Sequence, residues 1–67
     1  MTRLVRLRHE RGWSQRELAA IVDKTQGAVS EWERNGRIPH PRTRVRLAAI
    51  FNVEPVEALF ASVERDQ

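Results

Sequence analysis

Ser14-Gln15-Arg16-Glu17-Leu18-Ala19-Ala20-Ile21-Val22-Asp23-Lys24-Thr25-Gln26-Gly27-Ala28-Val29-Ser30-Glu31-Trp32-Glu33-Arg34 is the stretch on which the fold of this 67-residue chain turns. Ser14 to Glu17 reads S-x-x-E, a capping box in which serine and glutamate satisfy each other's helix-start donors. Leu18, Ala19, Ile21 and Val22 then supply the apolar surface of a helix. Thr25 is a second good N-cap, eleven residues after the first, with only Asp23-Lys24 between the helical segments. From Thr25 to about Arg34, Val29, Trp32 and Glu33 share one face, while Gln26, Gly27, Ser30, Glu31 and Arg34 share much of the other. The spacing predicts two short helices joined by a very tight turn, the second with a glutamate on its apolar side.

Upstream, Thr2 caps a first helix in which Leu4, Leu7, Arg8 and Arg11 fall at i, i+3, i+4, i+7, and Gly12 stops it. An arginine therefore also sits on an apolar face. Downstream, Asn35-Gly36 ends the helix begun at Thr25, and Ile38-Pro39-His40-Pro41 forms an extended connector. A fourth helix is expected from Arg42 to Phe51, closed by Asn52. Glu54-Pro55, with proline suited to a first helical position, is expected to start a fifth helix ending near Val63. Ser62 to Gln67 are expected to fray, residues 64–67 forming a loose tail. Nothing alternates with period two, so the expected fold class is all-α, a compact five-helix arrangement with residues 1–67 as one domain.

Cysteine is absent and His9 and His40 are isolated, so neither a disulfide framework nor a zinc site is expected. The longest apolar runs, Leu18 to Val22 and Leu47 to Phe51, hold five residues each, against the ~20 a membrane span needs. The Arg-rich start does not lead into a signal-peptide hydrophobic region, which makes the cytoplasm the expected location. Residues 1–53 carry a net charge near +6, whereas residues 54–67 carry −3 through Glu54, Glu57, Glu64 and Asp66 against Arg65. Eleven of the twelve basic residues are arginine, whose planar fork suits phosphates and guanine edges, although a GC-rich genome gives the same bias. A polyanionic partner fits this balance.

Two caps at this spacing suit a helix-turn-helix unit over about residues 14–34. In such a unit the N-terminal half of the second helix enters the major groove, whose base edges display distinct donor and acceptor patterns. Gln26 can present its amide to adenine N6 and N7, Ser30 lies one turn deeper, and Glu31 can accept from cytosine N4. Leu47, Ala48, Phe51, Val53, Leu59 and Phe60 belong to the core or to a partner interface. Trp13 and Trp32 sit where core packing accounts for them, and stacking on unpaired bases is not needed.

The set Arg8, Gly12-Trp13-Ser14-Gln15, Glu17-Leu18-Ala19, Thr25-Gln26, Val29-Ser30, Trp32-Glu33, Pro39, Leu47-Ala48 and Val53 to Leu59 resembles the phage-repressor type of helix-turn-helix domain, the XRE or Cro-like family. The resemblance runs from about Leu4 to Phe60. It implies a five-helix, lambda-repressor-like DNA-binding domain of bacterial or phage origin, commonly a transcriptional repressor and often a homodimer. It also implies roles by position. Gln26, Gly27 and Glu31 take the base-contacting places, to which the reading of the helix face adds Ser30, while Gln15 meets a phosphate at a helix N-terminus. Thr25, Lys24, Arg34, Arg37 and Arg42 are further candidate phosphate contacts. Arg8 and Glu33 pair in a buried salt bridge, unless Arg8 instead reaches a phosphate.

The chain departs from the family pattern at Asp23, Asn35 and Asn52, where similar domains place glycine. All three are Asx residues, the non-glycine types that best tolerate positive φ. Lys24 replaces an apolar residue. Gly27 brings no side chain to a base-contacting place, though it lets the backbone approach a groove. The expected function is therefore a sequence-specific regulator of double-stranded DNA. The competing reading is a protein-interaction adaptor or antitoxin that keeps the fold. No paired carboxylates, nucleophile with base, phosphate loop or metal cluster can be assembled, so an enzyme with a small-molecule substrate or a cofactor is not expected.

Overall fold

Side-chain caps set where the first three helices begin. In the computed structural model, which describes residues 1–63, α1 spans Arg3–Glu10, α2 Gln15–Ile21, α3 Gln26–Arg34 and α4 Pro41–Phe51, followed by a 3₁₀ helix at Val56–Phe60. The Thr2 hydroxyl accepts from the Val5 amide and that of Thr25 from the Ala28 amide. At α2 the capping box is complete: the Glu17 amide donates to Ser14 Oγ at 3.0 Å and the Ser14 amide to Glu17 Oε1 at 2.7 Å. Each cap satisfies donors a helix start otherwise leaves unpaired.

The ends of the helices follow local backbone chemistry. Asp23 and Asn52 adopt φ of 59° and 56°, left-handed values that Asx side chains tolerate. Asn35 does not: its φ is −106°, and Gly36 takes the left-handed position at 70°. The expectation of a positive φ at Asn35 is thus off by one residue, because the glycine beside it adopts that conformation with no Cβ penalty.

The fifth helix expected over residues 54–63 is corrected to the short 3₁₀ turn Val56–Phe60, with Pro55 outside it as the N-cap. Its continuation is extended because it pairs with the start of the chain. The Arg3 amide donates to Ala61 O at 3.0 Å and the Val63 amide to Met1 O at 2.9 Å, flanking an antiparallel bridge between Thr2 and Ser62. Ser62 and Val63 are therefore held rather than frayed, and the tail expected at 64–67 lies outside the described residues. Among the described residues there is no strand, only that isolated bridge.

Leu4, Leu18, Val29, Leu47 and Leu59, one from each element, and Val22 just after α2 are wholly buried, with Ala19, Trp32, Ala48, Phe51 and Val53 around them. Full burial of a side chain of this size contributes ~1.5–3 kcal/mol. Trp13 and Phe60 are half-buried against this core. The apolar-face position of Arg11 has a local explanation: its guanidinium lies over the rings of Trp13 and Phe51, 5.2 and 5.1 Å from their centroids, and donates to Ile50 O at 3.3 Å. Asn52→Ala is expected to lower stability by about 1 kcal/mol, since alanine pays the full left-handed penalty there, while Asn52→Gly keeps or raises it. Urea unfolding of the two variants beside the parent protein checks the order.

Candidate nucleic-acid interface

Arg8 comes from the apolar stripe of α1 and Glu33 from that of α3, and the two meet inside the molecule. Arg8 Nε donates to Glu33 Oε2 at 2.7 Å and Nη2 to Oε1 at 2.9 Å, a bidentate pair. The side chains are only 10% and 7% exposed, so Arg8 is not available to a phosphate. Its Nη1 donates to Trp13 O at 2.7 Å, and Nη2 lies 3.2 Å from His9 Nε2. Burial alone would push the Glu33 carboxyl up. The hydrogen bonds from Arg8 and Gln15, with the charges of Arg8 and His9, outweigh it and hold the group below its ordinary value.

The bridge continues outward to the surface. Gln15 Nε2 donates to Glu33 Oε1 at 3.0 Å, and Gln26 Nε2 donates to Gln15 Oε1 at 3.3 Å. An arginine only donates and a carboxylate only accepts, so the direction of the chain is fixed by chemistry. Gln15 must turn its NH₂ toward Glu33 and its oxygen toward Gln26. Gln26, exposed on the first turn of α3, then keeps one N–H and its carbonyl oxygen free. The eleven-residue spacing of the two caps is what puts Gln15 and Gln26 at the first positions of successive helices.

The remaining candidates lie around this pair. Gly27 is exposed and Ser30 half-buried on α3. Glu31 is exposed, but its Oε1 accepts from Asn35 Nδ2 at 3.0 Å and stands 3.8 Å from Arg37 Nε. One carboxylate oxygen is thus turned toward the C-terminal end of α3, leaving the other open. Thr25 uses its oxygen to cap the helix at 3.1 Å from the Ala28 amide, and its hydroxyl proton remains available to a phosphate. Arg34 and Arg37 are exposed near the end of α3.

Lys24 and Arg42, eighteen residues apart in sequence, line the same open groove of about 350 Å³ together with Asp23, Thr43, Val45 and Arg46. This groove adjoins the N-cap of α3. Sequence reading missed Arg46 and Val45. The i, i+4 spacing of Arg42 and Arg46 signals a shared face of α4, but only packing shows that this face meets the Asp23-Lys24 turn. Arg46 Nη1 is anchored on Val22 O at 3.2 Å, which fixes its guanidinium at the end of α2. Val45 is 59% exposed between these cations.

A family model described as Helix-turn-helix matches residues 4–57. The chain belongs to the XRE/Cro-like helix-turn-helix family. No curated protein and no solved structure matches it. As an XRE/Cro-like domain it belongs to a family of DNA-binding regulators, and no helix among the described residues is long and apolar enough to cross a membrane.

Because the Glu33 carboxyl is held down only in the folded domain, its contribution to stability is fully present above the unfolded-state value, ~4.3. It is lost as pH falls through the lower folded value. At neutral pH, Glu33→Ala is expected to cost ~3–5 kcal/mol by leaving Arg8 buried without a partner. Glu33→Gln should be the less damaging change, and the gap in melting temperature between it and the parent should narrow on acidification below about pH 4. Thermal melts across pH 3–7 measure both.

Proposed function

We propose that this XRE/Cro-like domain is a sequence-specific transcriptional regulator, acting as a repressor in the cytoplasm and reading the major groove with α3. The observation that carries this reading is the relay from Arg8 through Glu33 and Gln15 to Gln26. It leaves Gln26 one donor and one acceptor, the complement of the N7 acceptor and N6 donor on an adenine edge. A base-reading amide whose orientation is set before binding loses less freedom on contact. Ser30 and the open oxygen of Glu31 lie deeper on the same helix for further base contacts.

Phosphate contacts are assigned to Gln15 and Thr25 at the two helix starts, to Lys24, Arg42 and Arg46 in the adjoining groove, and to Arg34 and Arg37 beyond α3. Phosphate contacts position and base contacts specify, so these two groups of residues should respond differently to mutation. We further assign residues 1–67 to one domain that pairs as a homodimer. Val56 and Phe60, half-buried on the 3₁₀ helix, supply part of the interface, and the two reading helices then address half-sites about one helical turn apart.

Selection from a random duplex pool at near-physiological salt is expected to enrich an inverted repeat, and Gln26→Ala to relax the preference at one position per half-site. Absence of enrichment by a folded protein would move the function to a protein-binding adaptor. For Lys24→Gln and Arg42→Gln, affinity should fall on all duplexes alike. The slope of log affinity against log salt should shrink by about 1 for each substitution, as titrations at several salt concentrations would show.

A further inference from the structure

A glycine inside a helix is usually explained by the fold around it, through a positive φ or through a neighbour that would collide with a Cβ. Neither applies to Gly27. It lies in the first turn of α3 with helical backbone, unlike Gly12 and Gly36, which hold φ of 71° and 70°. A Cβ built on it meets one atom within 4 Å, Thr25 Oγ1 at 3.8 Å, an ordinary contact. Alanine would therefore fit, and it is the better helix former. The fold does not account for the missing side chain.

What lies around Gly27 does. Gln26, beside it, is held by the relay with its free donor and acceptor outward, and the basic groove of Lys24, Arg42 and Arg46 flanks the same end of α3. The side chains next along this face are Ser30, which is half-buried, and Glu31, which is drawn toward Asn35 and Arg37 at the other end of the helix. We infer that Gly27 is a specificity-determining residue that acts by what it lacks. The base pair next to the one addressed by Gln26 seats its major-groove edge directly against the α3 backbone, closer than a Cβ permits. This inference rests on the DNA-reading function proposed above, and it gives the bare position a role within that function.

The test uses the 67-residue protein and three variants, Gly27→Ala, Gly27→Ser and Gln26→Ala, with melting followed by circular dichroism. Binding is measured by fluorescence anisotropy on the duplex selected by the parent protein and on a scrambled duplex. Gly27→Ala is expected to raise the melting temperature by about 4–8 °C and to lower affinity for the selected duplex at least tenfold, with affinity for the scrambled duplex unchanged. Gly27→Ser should lose at least as much on the selected duplex. A more stable Gly27→Ala protein that binds the selected duplex within twofold of the parent overturns the inference, as does an equal loss on both duplexes. In either case the DNA-reading function still stands if Gln26→Ala relaxes the selection. If the parent protein selects no duplex, the DNA-reading function itself has failed, and the role of Gly27 falls with it.

Discussion

The bidentate contact between Arg8 and Glu33 constrains the rest of this domain. It joins α1 to α3 through two side chains that are nearly excluded from water, where neither charge is tolerable alone. Such a pair need not add net stability over two apolar residues. Its value lies in geometry, because a planar guanidinium and a carboxylate meet well in only a few arrangements. Arg8 also holds Trp13 O, the carbonyl just before the α2 cap. One guanidinium thus relates three segments: α1, the entry to α2 and the inward face of α3.

From that fixed point the order of the surface follows. An acceptor-only carboxylate sets the orientation of the Gln15 amide, and Gln15 in turn sets that of Gln26. The polar face of α3 is therefore connected to the interior by hydrogen bonds rather than being a row of independently solvated side chains. Electrostatics outside the relay is looser. Glu31 and Arg37 are both well exposed and 3.8 Å apart, so water and salt screen their attraction. The cations of the groove beside Lys24 are separated in sequence and gathered only by the packing of α4 onto the turn between α2 and α3.

The fold shows a second economy at its termini. A domain this small buries a limited share of its surface, and the end of the chain does not form the full helix its composition suggests. Leu59 enters the core, after which the backbone turns extended and bonds to residues 1–3. Those bonds compete directly with further helical hydrogen bonds, since each amide has one proton to give.

By itself the sequence determined whatever depends on near neighbours. Caps at Thr2, Ser14 and Thr25, the stop at Gly12 and the turn at Asp23-Lys24 are local hydrogen-bond and φ preferences, so four helices and their starts were legible, as was the family to which the spacing belongs. The apolar placement of Arg8 and Glu33 marked two charges that needed partners. Tertiary structure decided what depends on distant segments meeting. The shortened 3₁₀ helix needed the N-terminal residues as competing partners, and the groove needed α4 laid against the α2–α3 turn. The direction of the Gln15 and Gln26 amides needed a carboxylate eighteen residues from Gln15, held in place by an arginine from another helix. A side chain's partners across the fold are set by packing, and packing is not written at any single spacing along the chain.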